Sequence, residues 1–185
     1  MKKANTVGRI LTKILEVFHW VGTGLMAVAA VCALVAPKHI GWFVDFDAKE
    51  CCGAELTVYG FSVTAPVTEG NVDMTTFFLF GLGAVVILAA MALVFRNLHL
   101  IFKQAEDASP FRTENISRMK KIGFLSIAVP VVGFVMSLII RLVMGPEATE
   151  ISVDQSGIFM GIIVLCLTRF FVHGANLERD VDGLV

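Results

Sequence analysis

Four long apolar stretches, residues 18–36, 75–95, 122–140 and 157–172, alternate with polar segments along the chain. A helix needs roughly 20 mainly apolar residues to cross a hydrocarbon core about 30 Å thick, and each stretch comes near that length. Pro37 follows the first, Arg96 the second and Gly145-Pro146 the third, while Arg169 interrupts the fourth and shortest. Apolar positions run all round these segments instead of along one stripe, which argues against a soluble bundle. With their flanks, the segments predict spans at about 14–36, 75–102, 114–144 and 156–175, with an outer loop at 37–73. The chain reads as one domain over residues 1–185: an all-α integral membrane protein, a four-transmembrane-helix bundle with a small extracytoplasmic β-hairpin insertion.

The hairpin is read from Glu55-Leu56-Thr57-Val58-Tyr59-Gly60-Phe61-Ser62-Val63-Thr64, which gathers β-branched and aromatic residues about a glycine. Residues 40–46 have similar character and suggest a third strand, although Trp42 and Phe43 also suit a lipid interface, the stronger reading. Isolated hairpins are marginal in water, so this one is expected to lie on the end of the bundle.

Composition agrees: 56% of the residues are hydrophobic and 17% charged, with a formal net charge of −1. The basic residues are unevenly placed. Lys2, Lys3, Arg9 and Lys13 precede the first span, and Arg96, Lys103, Arg112, Arg118, Lys120 and Lys121 fill the middle connection. The other two connections hold only Lys38 and Lys49 as bases, against nine acids from Asp45 to Asp154. Cytoplasmic loops hold the lysine and arginine excess, so both termini and the middle connection are expected inside. A cleavable signal is the competing reading of the first span, but its flank is long and includes Glu16. Val31 stands before Cys32 where lipoprotein processing needs a small residue.

Small residues let helix backbones approach in lipid. Gly157 and Gly161, Gly133 and Ser137, with Gly22, Gly81, Gly83 and Ala89, fit a compact bundle and equally a homodimer face. Pro130 is expected to kink the third helix. Adjacent Cys51 and Cys52 are expected on the oxidising side; a strained vicinal bridge, intermolecular pairing and free thiols are all open. Cys32 and Cys166 read as small core residues.

Ionisable groups in spans default to functional candidates. Glu16, His19 and Thr23 share a face of the first helix; Arg96, His99 and Lys103 share a face of the second; Arg169 and His173 stand one turn apart on the fourth. All fall near one level, where Glu16 is the one carboxylate among several bases, so a pair of Glu16 with Arg169 or Arg96 is expected. Arg141 is left to an outer acid or the headgroups. The histidines lack the two-histidine i, i+4 spacing with an accompanying carboxylate that marks many metal sites. No cofactor is assigned.

In the middle connection, residues 97–102 continue the second helix and Thr113 is placed to cap an amphipathic start to the third, beside Phe111. Anchoring to anionic headgroups accounts for its bases. The run Asn97-Leu98-x-x-Ile101-Phe102, then Pro110-Phe111-x-x-Glu114-Asn115-x-x-Arg118-x-x-x-Ile122-Gly123, and the ending Phe171-x-x-Gly174-Ala175-x-Leu177-Glu178-x-Asp180-Val181-Asp182-Gly183-Leu184-Val185 resemble a bacterial family of four-helix membrane proteins, domain of unknown function 2975. The resemblance implies a multi-pass protein of the bacterial cytoplasmic membrane and a signalling partnership with a helix-turn-helix regulator or other cytoplasmic protein. Asn97, Phe111, Glu114, Asn115, Arg118, Asp180 and Asp182 are the partner-binding candidates. The acidic, amphipathic tail has two destinations: its own loop, through Glu178, Asp180 and Asp182 meeting Arg112, Arg118 and Lys121, or a soluble partner.

No nucleophile triad, phosphate-cradling glycine loop or nucleotide fingerprint is present, and the basic loop lacks the interleaved aromatics of direct nucleic-acid binding. The expectation is a non-enzymatic membrane sensor or regulator signalling to a cytoplasmic partner. The alternatives are a small transporter or channel component using Glu16, His19, Arg96 and Arg169, and a metal- or haem-binding redox protein using the rim histidines.

Overall fold

The computed structural model describes residues 2–35, 54–68, 71–104, 112–146, 148–149 and 154–182. The elements run α1 (Lys2–Val35), β1 (Ala54–Val58), β2 (Phe61–Ala65), β3 (Val67–Thr68), β4 (Asn71–Val72), α2 (Met74–Gln104), α3 (Thr113–Met144) and α4 (Gln155–Asp182). All four helices are long and apolar enough to cross a membrane. Cys51, Cys52, Trp42, Phe43, Phe111 and the third strand anticipated at 40–46 lie outside the described residues.

The helices extend beyond their apolar runs. α1 begins at Lys2, ahead of the span expected from about residue 14, and α4 continues to Asp182, past the span end expected near 175. Neither extension contains a proline to stop it, so residues 176–182 of the tail form the last turns of α4. Asp73 caps α2: its Oδ2 accepts from the Thr76 backbone N–H at 2.8 Å and from Thr76 Oγ1 at 2.6 Å, satisfying donors that the first turn leaves open. At α3 the cap differs from expectation. Thr113 is already inside the helix, and the Arg112 carbonyl accepts from the N–H groups of Asn115 and Ile116 at 3.0 and 3.2 Å. α3 runs as one helix through Pro130.

The chain divides into two compact units. The first comprises residues 1–19, 90–128 and 155–185. α3 and α4 approach closely in it: a Cβ on Gly161 would lie 2.7 Å from the Gly123 carbonyl oxygen. Only glycine leaves room for the backbones to meet there. Gly161 thus has the packing role its spacing suggested, against Gly123.

The second unit comprises residues 20–89 and 129–154. β1 and β2 pair antiparallel with Val58 opposite Phe61. The two residues between them, Tyr59 and Gly60, have φ of 47° and 77°. Positive φ at both central positions is the type I′ geometry, whose twist suits a two-residue hairpin. Along β2 the period-2 alternation turns Phe61, Val63 and Ala65 inward. Phe61 stacks on Phe80 of α2 with ring centroids 5.3 Å apart, and a Cβ on Gly83 or Gly133 would meet the Phe61 side chain at 2.8 or 3.2 Å. The hairpin therefore rests on helices, as a sheet of this size must. Its far edge is covered too: Thr64 N–H donates to the Ala148 carbonyl at 2.9 Å and Thr149 Oγ1 to the Ser62 carbonyl at 2.8 Å, occupying groups an open edge would expose. A second, two-residue pairing, β3 with β4, was not anticipated.

Large apolar side chains also cover the outside of the helices, while α1 turns polar ones inward. Thr12, Glu16 and His19 are buried, whereas Phe18, Leu25, Leu142 and Phe170 are each more than 65% exposed. In α4 only 11% of the most apolar window is buried. Water would penalise such a surface at roughly 25 cal/mol per Å² of apolar area.

Candidate functional site

In the first unit, α1 presents a polar stripe to the interior at i, i+4 and i+7: Thr12, Glu16 and His19. Each is satisfied within its own helix. Thr12 Oγ1 donates to the Gly8 carbonyl at 2.7 Å, and His19 Nδ1 donates to the Leu15 carbonyl at 2.7 Å. The Glu16 carboxylate accepts from Lys13 Nζ at 3.0 Å. This corrects the anticipated pairing, since the partner is neither Arg96 nor Arg169. Lysine three residues away on the same helix reaches the carboxylate without drawing a second helix's cation inward. His19 also packs against Phe95 with centroids 4.9 Å apart.

The three histidines do not converge. His99 Nδ1 donates to the Arg9 carbonyl at 3.0 Å, tying α2 to α1, and His173 is exposed. Among the described residues no three of His, Cys, Asp and Glu are grouped to hold a metal.

The partner-binding candidates separate into two sets. Glu114, Asn115 and Arg118 join the end of α2 to the start of α3. Arg118 Nη1 donates to Gln104 Oε1, to the Leu100 carbonyl at 3.4 Å and to Asn115 Oδ1 at 3.5 Å, while Gln104 Nε2 donates to Glu114 Oε2 at 3.1 Å. Asn115 is buried. These residues tie the end of α2 to the start of α3. Asn97 instead donates to the Leu93 carbonyl of its own helix at 2.7 Å, and Asp180 stands exposed near the end of α4. Phe111 and the Asp182 side chain lie outside the described residues. Thr12 and Gln104 were missed. Thr12 had a signal, standing one turn before Glu16 on the same face; Gln104 had none, because its partners are set by where a connection of eight residues returns the chain.

Among the described residues of this unit, basic grooves open on both sides of α3. One, between α2 and α3, has a volume of about 710 Å³ and takes Arg96, Arg118 and Lys121 in its lining. The other, between α3 and α4, has about 530 Å³ with Lys120 and Arg169. Phe124 lines both.

The second unit holds a half-open cleft of about 580 Å³ between α1, α2 and β1. Leu25, Met26, Ala29, Leu56, Phe77 and Phe80 form much of its wall, with Cys32 and Glu55 among the few polar groups. Its size lies within the range of small-molecule sites, and its apolar wall with sparse polar groups is their usual chemistry. At the hairpin tip, burial pushes the Tyr59 phenol above its ordinary pKa.

No family model, curated protein or solved structure matches the chain.

Proposed function

We propose that this chain is a non-enzymatic sensor of the bacterial cytoplasmic membrane, taking an apolar ligand in the cleft under the β1–β2 hairpin and signalling to a cytoplasmic protein. The observation that carries the proposal is the cleft itself: ligand-sized, apolar, and walled partly by a strand of the hairpin. α1 and α2, which supply its helical wall, are the same helices whose other ends bear Glu16, His19, His99 and Arg96. A ligand that favours one packing of hairpin on helix biases a two-state element, as signalling requires. The resemblance of the connection and tail to a family with helix-turn-helix regulators as neighbours points to the class of partner.

In this reading the lysine- and arginine-rich segments face the cytoplasm, with both termini, and the hairpin faces the other side. The exposed apolar surface of α4 faces lipid. The acidic end of α4, with Asp180, is the surface offered to the partner.

The test is cross-linking in intact cells from the α4 end, with identification of what is captured. The expected result is a soluble cytoplasmic regulator whose capture falls at least tenfold in Asp180→Lys/Asp182→Lys and changes in Ala29→Phe, which fills the cleft. Capture of no cytoplasmic protein, or capture indifferent to both changes, overturns the proposal.

A further inference from the structure

We propose that the α2/α3 groove of the first unit is a binding site for one anionic phospholipid, its headgroup held by Arg96, Arg118 and Lys121 and an acyl chain lying over Phe124 and Leu125. The inference rests on the membrane reading above and is independent of the cleft under the hairpin.

Three cations from two helices line one groove, and among the described residues none of those lining it is acidic. Surface lysines scattered for solubility would not converge in this way. The groove is also graded along its length. The Arg118 guanidinium bonds the Leu100 carbonyl, which places the cationic end at the level of residues 100 and 118. One to three turns along each helix the wall becomes Leu93, Phe124, Leu125 and Ala128. A charged end leading into an apolar trough matches an amphiphile with an anionic head, and basic pockets between spanning helices on the cytoplasmic side are where such headgroups bind.

Arg118 supplies preorganisation. Its Nη1 is held by Gln104, Leu100 and Asn115, so much of the rotamer freedom an arginine loses on binding is already lost. A planar guanidinium fixed in this way is suited to phosphate oxygens. Arg96 and Lys121 are exposed, able to close on the same phosphate. A free phosphate would use the cations and leave the trough unused.

The full chain in neutral detergent is examined by native mass spectrometry with dioleoyl phosphatidylglycerol, dioleoyl phosphatidylcholine or glycerol phosphate. One phosphatidylglycerol is expected to be retained at concentrations where phosphatidylcholine is not. Arg96→Gln/Lys121→Gln should weaken retention about 30-fold, from about fivefold for each base near a phosphate. Lys103→Gln, an exposed base outside the groove, should change it less than twofold. Ala128→Phe, which keeps every charge and fills the apolar end, should also lower retention, and glycerol phosphate should not compete. Equal retention of the two lipids, retention unchanged in the double variant or in Ala128→Phe, or full displacement by glycerol phosphate would overturn the site. Carbonate extraction separates the two readings: release of the wild-type chain from membranes sinks the membrane reading itself, whereas a chain that stays but fails to discriminate headgroups sinks only the lipid site.

Discussion

The carbonyl oxygen of Gly123 on α3 stands 2.7 Å from where a Cβ on Gly161 of α4 would sit. The Ile127 side chain crowds the same point. Gly161→Ala is therefore expected to destabilise the protein by about 1–3 kcal/mol, the usual cost of overpacking. Because backbone is one of the two obstacles, Ile127→Ala should not restore the loss. Thermal unfolding in detergent reads both, and full rescue by Ile127→Ala would show that the helices are free to separate at this crossing.

The hairpin turn makes a prediction of similar kind. Gly60 combines a φ of 77° with a Cβ position 2.7 Å from Asp154 Cβ. Asparagine tolerates the left-handed region and alanine does not, so backbone strain alone would spare Gly60→Asn. The Asp154 contact predicts that both substitutions destabilise, by at least about 1 kcal/mol. Asp154→Gly should rescue the asparagine variant more than the alanine one. Equal rescue would place the effect in sterics and not in the backbone.

Tyr59 gives the pH dependence. Partial burial raises its folded pKa above the ordinary phenol value near 10, so the folded chain holds the phenol proton after the unfolded chain has lost it. The stability due to this difference is fully present below the unfolded pKa near 10 and is lost as pH rises through the folded value. Phenolate absorbance, with Tyr59 the only tyrosine in the chain, should appear at higher pH in the native protein than after denaturation. Coincident titrations would contradict the burial.

The ion pair at Glu16 is local. A double-mutant cycle of Glu16→Gln with Lys13→Gln should give a coupling of about 0.2–1 kcal/mol, reduced because the lysine is half exposed. Cycles with Arg96→Gln or Arg169→Gln should give none within error. Coupling to either arginine larger than that to Lys13 would restore the interhelical pair.

What the sequence made legible followed from strong one-dimensional signals. Residues 18–36 and 75–95 announced α1 and α2 by unbroken apolar length, and Val58-Tyr59-Gly60-Phe61 announced a hairpin by composition around glycine. Helix ends were less legible: residues 2–13 and 176–182 mix polar with apolar residues and include weak helix formers such as Asn5, Gly8 and Asp180, so neither apolar length nor propensity announced them. The site was legible only face by face. Glu16 and His19 were placed together by periodicity, but the choice of Lys13 over Arg96 or Arg169 depends on side-chain reach and on which helix lies nearest. The Arg118–Gln104 bond depends on chain return through the connection, which no periodicity encodes.

The proposal requires four helices that cross a bilayer with the amino-terminal flank and the middle connection on the cytoplasmic side. Native Cys51 and Cys52 allow its most direct measurement: intact cells, treated first with a membrane-impermeant reductant, are exposed to a membrane-impermeant maleimide. The account predicts labelling of the wild-type chain that disappears in Cys51→Ser/Cys52→Ser, and labelling of Ser109→Cys in that background only after permeabilisation. Labelling of Ser109→Cys in intact cells, with Cys51 and Cys52 protected until the membrane is opened, would contradict it.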